Sequence, residues 1–261
     1  MKKMKLFAGI LAGLMLCVAA AGCGGSTGSG DKKTAAKKEL IVGTNPSFAP
    51  FEFTDKKDGK VMGFDIDLIN ALGKKAGYDK VTIKSIAFDG LIPSLESGNN
   101  DVSITGMSIT EERKKKVNFT DSYYESGLMA VVKKDNTAIN GLDDLKGKTI
   151  AVQLGTTGAK YAETIQGAKV KTFDSSDLAC LELKNGGADA VISDLPVLQY
   201  FLKQGGSQYA KSVGTPKKGD FYGIATAKKN KELCDKLNKA LAAMKKDGEY
   251  QKIYDKWFKA E

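Results

Sequence analysis

Ser103-Ile-Thr-Gly-Met-Ser-Ile-Thr-Glu-Glu-Arg-Lys-Lys-Lys-Val-Asn-Phe-Thr-Asp-Ser-Tyr-Tyr124 is the stretch on which the fold of this chain turns. It opens as a strand, with Val102 and Ile104 alternating with Ser103 and Thr105. Gly106 frees the backbone to turn, and hydroxyls follow at Thr105, Ser108 and Thr110 before Arg113. The stretch admits two roles. A strand end, a turn and a guanidinium just beyond them make a pocket wall, where the planar fork of Arg113 can hold a small carboxylate. Alternatively, Ser108-x-x-Glu111 is a capping box and Arg113 lies on a solvated helical turn.

The segments before this stretch alternate. Leu40 to Gly43 reads as a short strand, and a loop punctuated by Pro46 and Pro50 carries Phe48 and Phe51. Gly63-Phe-Asp-Ile-Asp-Leu68 opens a helix with Asp65 as expected N-cap and Asp67 at the positive end of the dipole. Val81 to Ile83 is a strand, and a helix over Leu91, Ile92 and Leu95 is expected to be capped by Asp89 and ended by Gly98. The pattern resumes after an extended apolar run from Tyr123 to Lys133. Strands are expected at Lys148–Gln153, Val170–Phe173 and Ala188–Ser193, helices at about 159–165 and 176–185, and Asp194 caps the next helix or faces a ligand. Phe221 to Ala227 is a second extended run, and two helices, about 231–246 and 249–258, finish the chain. Strands alternating with helices predict an α/β fold with a largely parallel sheet. Ligands sit at the carboxyl ends of such strands, which is where Asn45, Phe48, Phe88 and Gly106 to Ser108 fall.

Composition narrows the function. Lys2, Lys3 and Lys5 precede an apolar run from Leu6 to Ala21, which reads as an export signal. Ala20-Ala21-Gly22-Cys23 resembles a bacterial lipobox, so a signal over 1–22, a lipid-bearing Cys23 and a Gly/Ser/Lys-rich tether to residue 38 are expected. Without the three signal lysines, 37 basic residues face 31 acidic ones, a net charge of +6. The charges are interleaved, which fits loose attraction to an anionic membrane surface, and nucleic acid is not an expected partner. The absence of histidine removes His-based triads and His-ligated metals, and Gly155-Thr-Thr-Gly158 is not a P-loop. No cofactor is expected. Cys180 and Cys234 are expected to be buried thiols in different lobes.

The motifs Gly63-Phe-Asp-Ile-Asp-Leu68, Phe88-Asp-Gly-Leu-Ile-Pro-Ser-Leu95, Ser108-Ile-Thr-Glu-Glu-Arg113, Phe119-Thr-Asp-Ser-Tyr-Tyr124 and Asp247-Gly248…Trp257-Phe258 occur in that order. Together they resemble the bacterial extracellular solute-binding proteins of polar amino-acid ABC transporters (family 3), with greatest similarity to the glutamine-binding proteins. The resemblance implies a two-lobed clamp of the periplasmic-binding-protein type. Each lobe is a mixed sheet flanked by helices, and two hinge strands join them. Lobe one would comprise 39–125 and 220–261, and lobe two 126–219. The protein would be no enzyme, monomeric, held at the outer face of the cell membrane by Cys23, and would deliver a free amino acid to a permease with its ATPase.

Carried over by position, the resemblance implies that Arg113 pairs with the ligand carboxylate, helped by the backbone N–H groups of Ser108 and Thr157. Asp194, the Gly106 carbonyl and the Ser108 hydroxyl would take the ammonium, with Thr105 in the same wall. Phe48 and Phe88 would sandwich the side-chain stem, and Asn45 and Gln153 would face its tip. Asn45 replaces an aspartate common in glutamine and basic amino-acid binders. Gln153 and Ser193 replace a lysine and a histidine of the glutamine binders. Two neutral amides suit a neutral polar side chain, with glutamine favoured over a basic or sulfur-containing one, because an unpaired buried charge is costly.

Overall fold

The computed structural model describes residues 38–259. The signal, Cys23 and nearly all of the tether lie outside the described residues. Two five-stranded sheets organise the rest. In chain order, the first part contains β1 (Glu39–Thr44), β2 (Ser47–Phe48), β3 (Glu52–Thr54), β4 (Val61–Met62), α1 (Phe64–Lys75), β5 (Lys80–Ser85), α2 (Leu91–Ser97), β6 (Val102–Ser103), α3 (Glu111–Lys116) and β7 (Val117–Phe119). There follow β8 (Tyr124–Lys133), β9 (Thr149–Gln153), α4 (Thr157–Thr164), β10 (Lys169–Phe173), α5 (Ser176–Asn185), β11 (Ala190–Asp194), α6 (Leu195–Lys203) and β12 (Ala210–Tyr222). The chain ends with β13 (Ala225–Ala227), α7 (Lys231–Asp247) and α8 (Glu249–Phe258).

The first sheet runs β5-β1-β6-β13-β7, with β1 parallel to β5 and β6, and β13 antiparallel to β6 and β7. The second runs β10-β9-β11-β8-β12, with β9 parallel to β10 and β11, and β8 antiparallel to β11 and β12. Both sheets are mixed, as a two-lobed α/β clamp requires. β8 and β12 continue as a paired ribbon to the first lobe, where Tyr222 faces Tyr124.

Helices cover the faces because their apolar stripes demand it. Leu68, Ile69 and Leu72 of α1 meet Leu237, Leu241 and Met244 of α7 in the core of lobe one. Ala130, Val132, Ile150, Val152 and Ile192 build that of lobe two with Ala159 and Ala162 of α4. Phe51, Phe64, Tyr124 and Phe258 pack together beneath the hinge, with ring centroids 4.8 to 6.2 Å apart. Cys180 in lobe two and Cys234 in lobe one are both buried and unpaired.

Several local expectations are corrected. Asp65 does not cap α1: Gly63 holds that position, with no side-chain cap, and Asp65 is completely buried in the first turn. Gly63 has φ +139°, and a Cβ there would lie 2.1 Å from the Phe51 carbonyl oxygen, so a close backbone approach outranks capping. Asp89 does not cap α2, which follows a 3-10 turn at Phe88–Gly90. Ser108 is not the cap of α3; Thr110 is, its hydroxyl accepting the Arg113 N–H at 3.2 Å.

Candidate functional site

Arg113 is set by its short helix. Thr110 starts α3 two residues past Ser108, so the Arg113 side chain turns inward and only 8 % of its surface stays exposed. One guanidinium nitrogen donates to the Ser108 carbonyl at 2.7 Å, and the other crosses to the Gly155 carbonyl of lobe two at 3.0 Å. Its carbon lies 5.3 Å from the Phe88 ring centre. The solvated role for Arg113 is therefore excluded. Burial lowers its affinity for the proton, and Asp194, Asp220 and Glu112 oppose that.

Asp194 comes from the opposite lobe. It ends β11 at the head of α6, but its side chain caps nothing and instead accepts the Ser126 hydroxyl at 3.2 Å. Burial, then the neighbouring Asp220 carboxylate, push it up to about 7, against the pull of Tyr222, Ser126 and Arg113. Among the described residues Arg113 and Asp194 make no ion pair with each other, although each feels the other's charge. A zwitterion placed between them meets a donor fork on one side and a carboxylate on the other.

The wall between them is built from lobe one. Gly106 has φ +53°, and a Cβ there would come within 2.6 Å of the Phe48 ring, so only glycine lets the turn lie against that face. Its N–H donates to Asp65 Oδ2 at 2.9 Å. The buried Thr105 hydroxyl donates to Glu52 Oε1 at 2.8 Å and accepts the Asn45 N–H at 3.0 Å. Ser108 is buried and bridged to Tyr222 of the returning hinge strand. The buried Tyr222 hydroxyl lies against Ser126 and Asp194.

At the far end, Asn45 and Gln153 meet across the cleft, Gln153 Nε2 donating to Asn45 Oδ1 at 3.0 Å. Asn45 also accepts the Ser47 hydroxyl at 2.6 Å and donates to the Ile86 carbonyl at 3.1 Å. Gln153 accepts the Ser176 hydroxyl at 3.1 Å and donates to the Asp174 carbonyl at 3.2 Å. Phe48 is buried and packs on Phe51, while Phe88 is half-buried. Thr157 is the first residue of α4, whose cap Thr156 satisfies the Ala159 N–H and leaves that of Thr157 toward the helix entrance.

Thus the lobes are drawn together through Arg113–Gly155, Asn45–Gln153 and an ion pair between Glu112 and Lys160. A cavity of about 190 Å³, lined by Phe88, Met107, Arg113, Gly155 and Lys160, opens between them. A larger one, about 530 Å³, lies away from this cleft beside α7, lined by Thr120 and Cys234. Glu52, Asp65, Ser126, Ser176 and Tyr222 support the cleft and were missed in the sequence. Of these, Asp65 and Ser176 sit at expected helix starts, Ser126 and Tyr222 lie in the two expected extended runs, and Glu52 falls in no segment read there.

The architecture has counterparts among known proteins. Residues 40–260 match the family model of the bacterial extracellular solute-binding proteins, family 3. The arginine-binding periplasmic protein of Mannheimia haemolytica is 42% identical over 228 residues, covering 86% of this chain and 92% of the relative. An ancestral arginine-binding protein bound to arginine is 51% identical, with TM-score 0.82, covering 85% of this chain and 99% of the other. An ancestral arginine-binding protein bound to glutamine is 50% identical, with TM-score 0.79, covering 86% and 99%. A match along nearly the whole described body, two mixed sheets joined by a paired ribbon and a polar cleft between them lead to one conclusion: this chain belongs to the bacterial extracellular solute-binding proteins of family 3, which bind solutes rather than transform them.

Proposed function

We propose that the protein captures a free L-amino acid, with arginine the leading ligand, and passes it to an ABC permease and its ATPase. One observation carries the reading: Arg113 and Asp194, from opposite lobes, are both buried and near enough for each to act on the other's charge, with no ion pair between them. The ligand carboxylate takes the Arg113 fork with the Ser108 and Thr157 N–H groups. The ammonium takes Asp194, the Gly106 carbonyl and the Ser108 hydroxyl. Only the closed arrangement offers both contacts, so ligand favours closure of 126–219 onto 39–125 and 220–261.

Two features favour arginine over the glutamine expected from the sequence, the polar tip of the cleft and the relatives. Acceptors gather there: the side-chain oxygens of Asn45 and Gln153 and the carbonyls of Ile86 and Asp174. A guanidinium has five donors and no acceptor, and its delocalised charge is weakly hydrated. It also stacks on aromatic faces, which Phe48 and Phe88 supply. An aspartate is therefore not needed at position 45 to receive it. The similarity to proteins named for arginine supports this choice. Glutamine is the second reading, supported by the neutrality of the Asn45–Gln153 pair and by the ancestral protein bound to glutamine. A Cys23-linked lipid places this monomeric receptor on the outer face of the membrane.

Calorimetric titration of the refolded protein with arginine, lysine, glutamine and asparagine tests the ligand. Arginine binds most tightly on this account. Asn45→Asp strengthens arginine relative to glutamine, since a carboxylate helps only the cation. Glutamine binding more tightly than arginine in the wild type refutes the leading choice, and no amino-acid binding at all refutes the function.

A further inference from the structure

Two carboxyl groups lie wholly buried behind the cleft, and neither contacts the cleft itself. Glu52 and Asp65 both have zero exposure. The Asp65 N–H donates to the Phe51 carbonyl at 2.8 Å, which brings the first turn of α1 against the start of β3 and sets the two carboxyls side by side. Asp65 Oδ2 accepts two donors, the Gly106 N–H at 2.9 Å and the Tyr123 hydroxyl at 2.7 Å. Glu52 Oε1 accepts the Thr105 hydroxyl at 2.8 Å. The remaining oxygens, Glu52 Oε2 and Asp65 Oδ1, are buried with no donor. Among the described residues no lysine or arginine pairs with either group, and the charged and titratable neighbours are the two carboxyls, Tyr123, Tyr250 of α8, whose hydroxyl donates to the Tyr123 carbonyl, and, beyond Tyr123, Tyr222. Two ionised carboxylates packed together without a cation are prohibitively unfavourable, whereas one shared proton satisfies both orphan oxygens.

We propose that Glu52 and Asp65 share one proton as a buried carboxyl–carboxylate pair, and that this pair positions the ammonium-binding wall from behind. Asp65, ionised, fixes the Gly106 amide and with it the direction of the Gly106 carbonyl. Glu52, protonated, bonds Asp65 and holds the Thr105 hydroxyl, which in turn receives the Asn45 N–H. Burial and the neighbouring carboxylate hold the Glu52 proton far above the ordinary range, and burial raises Asp65 only to about 6 because Tyr123 and Gly106 donate to it. The positioning role rests on the receptor reading above; the shared proton does not.

Urea unfolding of wild type and Glu52→Gln between about pH 6.5 and pH 8, where Asp65 is largely ionised, tests the proton. The folded wild type keeps a proton that its unfolded chain releases, so its unfolding constant grows relative to the variant by about tenfold per pH unit. A ratio that does not change with pH overturns the shared proton. Arginine titration tests the positioning. Glu52→Leu, which removes the Thr105 acceptor, weakens binding about tenfold, and Glu52→Gln restores it. Tyr123→Phe removes one donor to Asp65 and weakens binding from the other side, and it decides the matter should Glu52→Leu fail to fold. Wild-type affinity in the folded variants overturns the positioning role. A wild type that binds no amino acid overturns it together with the receptor reading, while the pH ratio still reports on the proton.

Discussion

Lowering the pH should weaken ligand binding through Asp194, and the size of the effect follows from its surroundings. The empty protein pushes this carboxyl to about 7 by burial and by Asp220. The bound ammonium requires the ionised form. About nine in ten molecules carry that form near pH 8, and about one in a hundred near pH 5. The apparent dissociation constant scales inversely with the competent fraction, so affinity falls about a hundredfold across that range. Because the folded value lies above the ordinary 3.8, the empty protein draws stability from the protonated group below that value. That stability is lost as the pH rises toward 7, and the ligand opposes the loss. Calorimetry in buffers of different ionisation enthalpy should find close to one proton released per ligand near pH 6 and almost none near pH 8. Asp220→Asn removes the second cause of the shift and should move the whole profile to lower pH. An affinity independent of pH, or an unchanged profile in Asp220→Asn, would refute the reasoning.

Other perturbations probe other parts of the account. Arg113→Ala removes the donors to Ser108 and Gly155 and leaves Asp194 without an opposing charge, so binding should weaken by about a hundredfold or more, read by the same titration. Gly106→Ala places a methyl 2.6 Å from Phe48 at a left-handed φ, and should lower the melting temperature and weaken binding together. Leu237→Ala opens the interface between α7 and α1 and should cost about 2–5 kcal/mol in urea unfolding, with affinity preserved once folded. The Cys180 thiol, pushed up to about 12 by burial, should react with Ellman's reagent only after unfolding.

The α/β class was legible because hydrophobic periodicity and glycine stops are local. The limits of α8, Glu249–Phe258, and of α5, Ser176–Asn185, follow from such signals. The small sheet of β2, β3 and β4 was not legible, since its strands have only two or three residues. Nor was β12: Lys211 to Asp220 alternates weakly, and its pairing with β8 includes two register shifts. Arg113 shows the same boundary within the site. Its sequence fits a capping box and a pocket wall equally, and what decides is Gly155, forty-two residues away on the other lobe. Asp65 reads as a cap from its neighbours alone, but the partners that claim it are Gly106 and Tyr123. The residues proposed to touch the ligand stand at strand ends or in the first turns that follow them, and carry chemistry visible in sequence. Residues that hold them from behind are identified only by long-range contacts.

The most direct test is a thermal-shift screen of residues 24–261, unfolded and refolded to strip carried ligand, against each free amino acid. A ligand that binds only the folded state raises the melting temperature by mass action. Arginine should give the largest rise, glutamine a smaller one, and Arg113→Ala should abolish both. No rise with any amino acid, or a rise that survives Arg113→Ala, would contradict the assignment of this cleft as an amino-acid receptor.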